Sequence, residues 1–273
     1  MPHRATGLAA LVLALLLAAA PARASEPACT DADLTAWARG GSLCLAVATY
    51  PAPGRTTAPA LVAFLHGDVS RGGPADYLAR AARRFAEAGG DLVAVALYRP
   101  GYEDAAGRRS EGSHNGRRDH YTPATIDAIG DALAALKAFH KARKLVVVGH
   151  SGGAATAGVL IGRKPGLIDA AVLLSCPCDV PRWRREGGRG EWRASLSPHD
   201  VAGAVPAGTT VVALTGTADD NTAPSLARDY VAALAARGVP ATFRAVPGAG
   251  HNTGEGLWED GRVAAEIARL AAR

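Results

Sequence analysis

The sequence of 273 residues lacks the features of a nucleic-acid-binding or membrane-spanning protein. Aromatic residues make up only 5% of the chain, and they are not interleaved with basic residues as on a nucleic-acid surface. The net charge is a modest +5. Beyond the N-terminus, no apolar run approaches the ~20 residues that a bilayer-spanning helix needs. Internal repeats are also absent. We therefore predict a single domain without a nucleic-acid partner and without a membrane span in the mature chain.

The N-terminus has the pattern of a secretory signal peptide. A short positive start precedes an unbroken apolar stretch from Leu8 to Ala20, and Ala22-Arg23-Ala24 is an A-x-A cleavage site. We predict a signal peptide at residues 1–24 and one domain at residues 25–273. The mature protein is then secreted or periplasmic.

Cysteine is scarce, with four residues in the whole chain: Cys29, Cys44, Cys176 and Cys178. Export makes disulfides possible, and four cysteines allow three pairings. A Cys29–Cys44 bond would tie the N-terminal segment to the first strand, worth about 3 kcal/mol in the chain-entropy model. Cys176 and Cys178 are too closely spaced for an easy bridge and do not have the spacing of a zinc site. The alternative is that all four are unbonded and buried.

Apolar strands alternate with helices through the rest of the sequence. The predicted strands are Leu43–Tyr50, Ala60–Leu65, Leu92–Tyr98, Leu145–Val148, Ala170–Leu174, Thr210–Leu214 and Ala241–Val246. The predicted helices are Pro74–Ala88, Thr125–His140, Ala154–Leu160, Pro224–Arg237 and Leu257–Ala272. This alternation predicts an α/β fold with a mostly parallel sheet and helices on both faces. Ligands of such sheets bind at the carboxyl ends of the strands. Two long polar loops interrupt the pattern, at Arg99–Tyr121 and Cys176–Gly208.

A G-x-S-x-G pentapeptide, Gly149-His150-Ser151-Gly152-Gly153, directly follows the predicted strand Leu145–Val148. An Ala- and Gly-rich run that can pack closely as a helix comes next. Strand, tight turn, serine and helix are the context of a nucleophile elbow. Small residues at Gly149 and Gly153 would avoid collisions with the strand and the helix. We predict Ser151 as a nucleophile; the alternative is an incidental serine in a Gly-rich loop.

A serine nucleophile needs a base, and the base needs an acid that holds its tautomer. We predict His251 as the base, because it lies in a Gly-rich loop after the last strand. We predict Asp219 as the acid, because it follows the strand Thr210–Leu214 and completes the chain order Ser, Asp, His. The adjacent Asp220 fits a cap of the following turn better. Weaker alternatives on another loop that follows a strand are Asp179 and Asp200.

Attack by serine creates an oxyanion, which requires preorganised backbone N–H donors. We predict the N–H of Gly152, directly after the nucleophile, as one donor. The second predicted donor is the N–H of Asp68 in His66-Gly67-Asp68, which follows an early strand; the alternative is that His66-Gly67 is only a turn. This chemistry requires no metal and no organic cofactor.

These residues resemble the α/β-hydrolase superfamily from about Ala60 to the end of the chain. Gly149–Gly153 matches the elbow, Gly216–Asp219 the acid loop and Gly250-His251 the histidine loop. Ser195–Asp200 is similar to the catalytic domains of the prolyl oligopeptidase and dienelactone hydrolase branches. The resemblance implies hydrolysis of a small-molecule ester or amide through an acyl-enzyme. Oligopeptidases carry a large N-terminal propeller, for which this chain has no room. We therefore predict a carboxylesterase first and a small-peptide hydrolase second; a non-catalytic binding protein on the same fold is the rival from another class.

The loop after Ala170–Leu174 is of a length that predicts a small cap. It carries Trp183, Trp192 and five arginines, which are Arg182, Arg184, Arg185, Arg189 and Arg193. Such residues can bind a substrate with a carboxylate or an aromatic acyl group. The residue types favour a different interpretation, in which the arginines lie in a solvent-exposed loop and the tryptophans pack on the sheet.

Overall fold

A computed structural model describes Met1, Cys29, residues 33–252, Leu257 and residues 261–272. The predicted cleavage site and the rest of the predicted signal peptide after Met1 lie outside the described residues. Within the described part, eight strands form one sheet in the order β1-β2-β4-β3-β5-β6-β7-β8. The strands are β1 (Trp37–Gly40), β2 (Leu43–Pro51), β3 (Ala60–Leu65), β4 (Leu92–Leu97), β5 (Lys144–His150), β6 (Ala170–Leu174), β7 (Thr210–Gly216) and β8 (Ala241–Val246).

The sheet is mostly parallel. β1 pairs with β2 and β2 with β4 in antiparallel fashion, and the remaining neighbours are parallel. The helices that accompany it are α1 (Tyr77–Glu87), α2 (Pro123–Phe139), α3 (Gly152–Arg163), α4 (Val180–Glu186), α5 (Pro198–Val201), α6 (Pro224–Ala235) and α7 (Arg262–Ala272). The strand order and the parallel pairing are those of the predicted α/β-hydrolase fold.

Each face of the sheet has its own hydrophobic core. Alternate residues of β3 point to opposite sides, so that Leu61 and Ala63 lie in one core and Val62 and Phe64 in the other. Helices α2, α3 and α6 cover the first face, and α1 and α7 cover the second. The apolar strands are therefore buried on both sides, as a covered parallel sheet requires.

Three details differ from the sequence predictions. The short edge strand β1 was not predicted, because four residues carry too little periodicity to be recognised. The predicted polar loop Cys176–Gly208 contains the helices α4 and α5. The predicted helix Pro74–Ala88 is shorter in the structure, where α1 spans Tyr77–Glu87.

All four cysteines form disulfides. Of the pairings that the sequence leaves open, the Cys29–Cys44 bond forms, with a Cα–Cα distance of 5.6 Å. The prediction that Cys176 and Cys178 are too closely spaced is wrong, because a disulfide joins them. The turn at Pro177 brings their Cα atoms to 5.1 Å, which is within the range that a disulfide spans.

No helix in the described part of the chain is both long and apolar enough to cross a membrane.

Candidate active site

Ser151 lies on the turn between β5 and α3 with a strained backbone. Its φ of 51° and ψ of −117° lie in a region that non-glycine residues rarely adopt. The Ser151 N–H donates to the carbonyl oxygen of Leu174 at 2.8 Å, which helps to hold this conformation. A Cβ atom on Gly149 would overlap the carbonyl oxygen of Gly153, and one on Gly153 would overlap that of Leu65. The predicted reason for small residues at these two positions is confirmed.

The structure brings Ser151, His251 and Asp219 together. The Oγ of Ser151 lies 3.1 Å from Nε2 of His251. Nδ1 of His251 lies 3.0 and 3.1 Å from the two carboxylate oxygens of Asp219. A bond from the Ala218 N–H to the Ala249 carbonyl, 3.0 Å long, joins the two loops that carry Asp219 and His251. A buried carboxylate on Nδ1 leaves Nε2 to face the serine, which is the arrangement of a general base.

Asp219 is held as an anion. Burial raises the pKa of its carboxyl group, but the hydrogen bond and charge of His251 and a bond from the Thr222 N–H bring it below its ordinary value. The Thr222 N–H and hydroxyl each donate to this carboxylate at 2.8 Å. The alternative Asp220 is exposed, whereas only 6% of Asp219 is exposed. Of the weaker alternatives, Asp179 caps α4 and Asp200 lies exposed in α5.

The two predicted oxyanion donors border the serine. Gly152 is the first residue of α3, so its N–H has no acceptor within the helix. A Cβ atom on Gly67 would lie 3.0 Å from Cβ of Ser151, which places the turn that precedes Asp68 against the nucleophile. A Cβ atom on Gly152 would lie 2.8 Å from Oδ1 of Asp68. Glycine at these positions lets the two backbone segments approach the reacting atom.

A buried ionic cluster fixes the Asp68 side chain. Arg99, which is 2% exposed, donates to the Asp68 carboxylate. The hydroxyls of Tyr121 and Tyr102 donate to it at 3.0 and 3.2 Å. Burial raises the pKa of Asp68, but the charge of Arg99 outweighs it and the pKa lies below its ordinary value. Nearby, burial and the Arg99 charge lower the pKa of His120 to about 4, so this ring is neutral at pH 7.

A second set of hydrogen bonds joins the turn at Gly67 to the histidine loop. The Tyr77 hydroxyl accepts from the Gly67 N–H and lies 2.9 Å from Nδ1 of His150. Nε2 of His150 lies 2.9 Å from the carbonyl oxygen of His251. Since a carbonyl only accepts, Nε2 carries the proton and Nδ1 accepts from Tyr77. Burial and the His251 charge lower the pKa of His150 to about 4, in keeping with this neutral tautomer.

The cap reaches the base through Asn221. The Trp183 indole N–H donates to the Asn221 carbonyl at 2.8 Å, and Arg189 donates to Oδ1 of Asn221 at 2.7 Å. Nδ2 of Asn221 lies 3.0 Å from Nε2 of His251. A neutral imidazole nitrogen has one lone pair, so Asn221 and Ser151 share this acceptor.

The supporting contacts of Arg99, Tyr77, His150 and Asn221 do not follow from the sequence, since nothing in the local pattern links positions so far apart in the chain. The available signal was positional. Arg99 comes shortly after β4, and Asn221 closely follows Asp219, both at the sheet edge where ligands bind. Among the described residues, no group of three His, Cys, Asp or Glu side chains has the arrangement of a metal site.

The comparisons with solved structures concern the fold. Est1E from Butyrivibrio proteoclasticus, in a structure with ferulic acid bound, has a TM-score of 0.68 and 13% identity, covering 86% of this chain and 98% of that chain. The esterase Pf2001 of Pyrococcus furiosus has a TM-score of 0.66 and 14% identity, covering 87% and 90%. The acylaminoacyl peptidase of Pyrococcus horikoshii has a TM-score of 0.65 and 11% identity, covering 85% of this chain and 40% of that one.

The sequence comparison identifies the family. No curated protein sequence matches the chain significantly. The sequence model of the prolyl oligopeptidase family matches residues 116–271, which is more than half of the chain and includes Ser151, Asp219 and His251. The chain therefore belongs to the prolyl oligopeptidase family and is a serine hydrolase on the α/β-hydrolase fold.

Proposed function

We propose that this protein is an exported carboxylesterase that works through an acyl-enzyme on Ser151. The observation that carries the proposal is the hydrogen-bonded series from Ser151 Oγ to His251 Nε2 at 3.1 Å, and from His251 Nδ1 to Asp219 at 3.0 Å. A serine alcohol is a poor nucleophile at neutral pH, and a neutral imidazole aligned by a buried carboxylate activates it.

In the proposed reaction, Ser151 Oγ attacks the ester carbonyl while its proton passes to His251 Nε2. Asp219 stabilises the imidazolium that forms, and the N–H groups of Gly152 and Asp68 donate to the oxyanion. The C–O bond to the leaving group breaks, and His251 gives its proton to the departing oxygen. Water then attacks the acyl-enzyme with the same base, releases the acid and restores the Ser151 hydroxyl.

We prefer ester hydrolysis because an activated ester is the substrate whose cleavage requires the least assistance from the active site. Est1E, with ferulic acid bound, and the Pf2001 esterase both share the fold. Hydrolysis of a small peptide or an aminoacyl amide is the second candidate, and the family and the likeness to an acylaminoacyl peptidase support it.

Export is supported by two observations. The first 24 residues have the signal-peptide pattern. The two disulfides, Cys29–Cys44 and Cys176–Cys178, are of the kind that persist in oxidising compartments such as the periplasm or the cell exterior.

Labelling with a fluorophosphonate probe tests the nucleophile. The probe should modify the folded protein and fail to modify Ser151→Ala, because it traps an activated serine. A folded wild type that does not label, or that labels no better than Ser151→Ala, would leave the non-catalytic binding protein as the better account. A panel of p-nitrophenyl esters and aminoacyl amides then ranks the substrates. Faster turnover of the amides would replace the esterase with the peptidase.

A further inference from the structure

Two half-buried arginines of the cap meet no carboxylate in the described part of the chain. Arg184 and Arg189 are half-buried, yet neither forms an ion pair with a described residue. Arg182, on the same segment, pairs instead with Glu186 at 2.6 Å and Asp229 at 2.7 Å. Arg185 also forms no ion pair with a described residue, but it is exposed, so Arg184 and Arg189 are the half-buried cap arginines whose charge no described carboxylate balances.

Both guanidinium groups are held against tryptophan rings. The Arg189 guanidinium carbon lies 4.8 Å from the ring centre of Trp183. That of Arg184 lies 4.6 Å from the ring of Trp192 and 5.4 Å from that of Trp183. The two tryptophan rings themselves are in edge contact, with centres 5.4 Å apart. Flat aromatic faces fix the planes of the guanidinium groups and leave their N–H edges free to donate.

The positive charges of Arg184 and Arg189 lie close together without a described carboxylate to balance them. Burial and the nearby positive charge of Arg189 lower the pKa of Arg184. Each guanidinium has five N–H donors. Arg184 donates one to the Gly190 carbonyl at 2.8 Å, and Arg189 donates one to Oδ1 of Asn221 at 2.7 Å. An anion would relieve the repulsion between the two cations and use their remaining donors, and a carboxylate matches the fork of a guanidinium.

Arg189 is joined to the reacting atoms through Asn221. A guanidinium only donates, so the Asn221 atom that faces Arg189 is the oxygen, and the amide nitrogen faces Nε2 of His251 at 3.0 Å. In ester hydrolysis, Nε2 gives its proton to the leaving oxygen. The leaving oxygen must therefore reach Nε2, the atom that the Asn221 amide also contacts, and Arg189 donates to the other end of that amide.

We propose that Arg189, supported by Arg184 and the rings of Trp183 and Trp192, binds a carboxylate on the leaving group of the substrate. The inference rests on the proposed ester hydrolysis at Ser151. It assigns the substrate class as esters of an alcohol or phenol that itself bears an acid group. Arg189 is then a specificity residue, and Arg184 assists it.

Matched esters that differ only in charge test the proposal. One pair is meta-carboxyphenyl butyrate and meta-carbamoylphenyl butyrate, in which the leaving group is an anion or a neutral amide of similar shape. The other pair is the mono-p-nitrophenyl ester of glutaric acid and its terminal amide, in which the charge is on the acyl side. The readout is the ratio of kcat/KM for the acid to that for the amide within each pair.

The wild type should prefer the acidic leaving group, and Arg189→Gln should lower the ratio at least about tenfold, since a charge-assisted pair is lost. Arg189→Lys, which keeps the charge and loses the planar fork, should retain part of the preference. Arg185→Gln is the matched control, because it removes an exposed charge from α4, in the same cap segment as Arg189. Its ratio should equal that of the wild type.

The possible results separate this inference from the proposed function. If the wild type labels with fluorophosphonate but shows no preference for the acidic leaving group, the carboxylate site is wrong and the hydrolase stands. The same holds if Arg189→Gln and Arg185→Gln give equal ratios, or if the preference appears only in the acyl-side pair. A wild type that neither labels nor turns over any ester refutes the proposed function itself.

Discussion

Replacing Tyr77 by phenylalanine should slow catalysis and destabilise the fold together. The Tyr77 hydroxyl accepts from the Gly67 N–H and donates to Nδ1 of His150, 2.9 Å away. His150 in turn donates to the His251 carbonyl at 2.9 Å. The series thus joins the turn that precedes Asp68 to the loop that carries the base. Removal of one oxygen atom interrupts it at the centre.

The expected loss of stability and activity follows from the polar groups that lose their hydrogen-bond partner. Gly67 and His150 are buried, so Tyr77→Phe leaves one N–H donor and one ring nitrogen without a partner. Each such group costs about 1–3 kcal/mol, and partial entry of water brings the expected loss of unfolding free energy to about 2–4 kcal/mol. Loss of a whole oxyanion donor costs about 100- to 1000-fold in kcat. A misaligned Asp68 N–H should cost less, about 10- to 100-fold in kcat, with little change in KM.

The assay combines urea unfolding with steady-state kinetics on p-nitrophenyl butyrate. Tyr230→Phe is the matched control, because it also removes a buried hydroxyl. The Tyr230 hydroxyl donates to the Gly158 carbonyl oxygen at 3.1 Å and has no contact with Ser151. We expect it to lose about 1 kcal/mol of stability and to keep the wild-type kcat. Equal kcat values for the two folded variants would refute the reasoning that Tyr77 positions the oxyanion turn.

Two further predictions concern the acid and the buried histidines. Asp219→Asn should lower kcat about 10,000-fold, because an amide no longer selects the productive tautomer of His251. The control Asp220→Asn, at an exposed position, should keep the wild-type rate. Equal losses in the two variants would contradict the assignment of Asp219 as the acid. Burial lowers the pKa of His66 to about 3 and of His120 and His150 to about 4, below the ordinary 6.5. Between about pH 4 and about pH 6.5, the three histidines therefore take up protons when the protein unfolds. The unfolding free energy should fall as the pH drops below about 6.5, by up to about 4 kcal/mol per pH unit for the three histidines together. A urea midpoint that is the same at about pH 7 and about pH 5 would contradict this.

The layers of the fold were predictable because they follow from local patterns. The apolar run before Ser151 is a strand because both of its faces are buried, and the glycines that follow can only be explained by a tight turn. The rule that ligands bind at the carboxyl ends of parallel strands then placed Ser151, Asp219 and His251 at one edge. The edge strand at Trp37–Gly40 and the helix at Val180–Glu186 were missed, because both are short and depend on their tertiary partners.

The sequence by itself determined the order of strands and helices, the strained position of Ser151 and the edge of the sheet where its partners lie. Only the tertiary structure decided that Asp219 turns inward while Asp220 faces solvent, that Arg99 is buried against Asp68, and that Arg189 reaches His251 through Asn221. The physical reason is the range of the interactions. Hydrophobic periodicity and turn preferences act between near neighbours, whereas the bond from His251 to Ser151 spans 100 positions and forms only when the packed sheet fixes both loops.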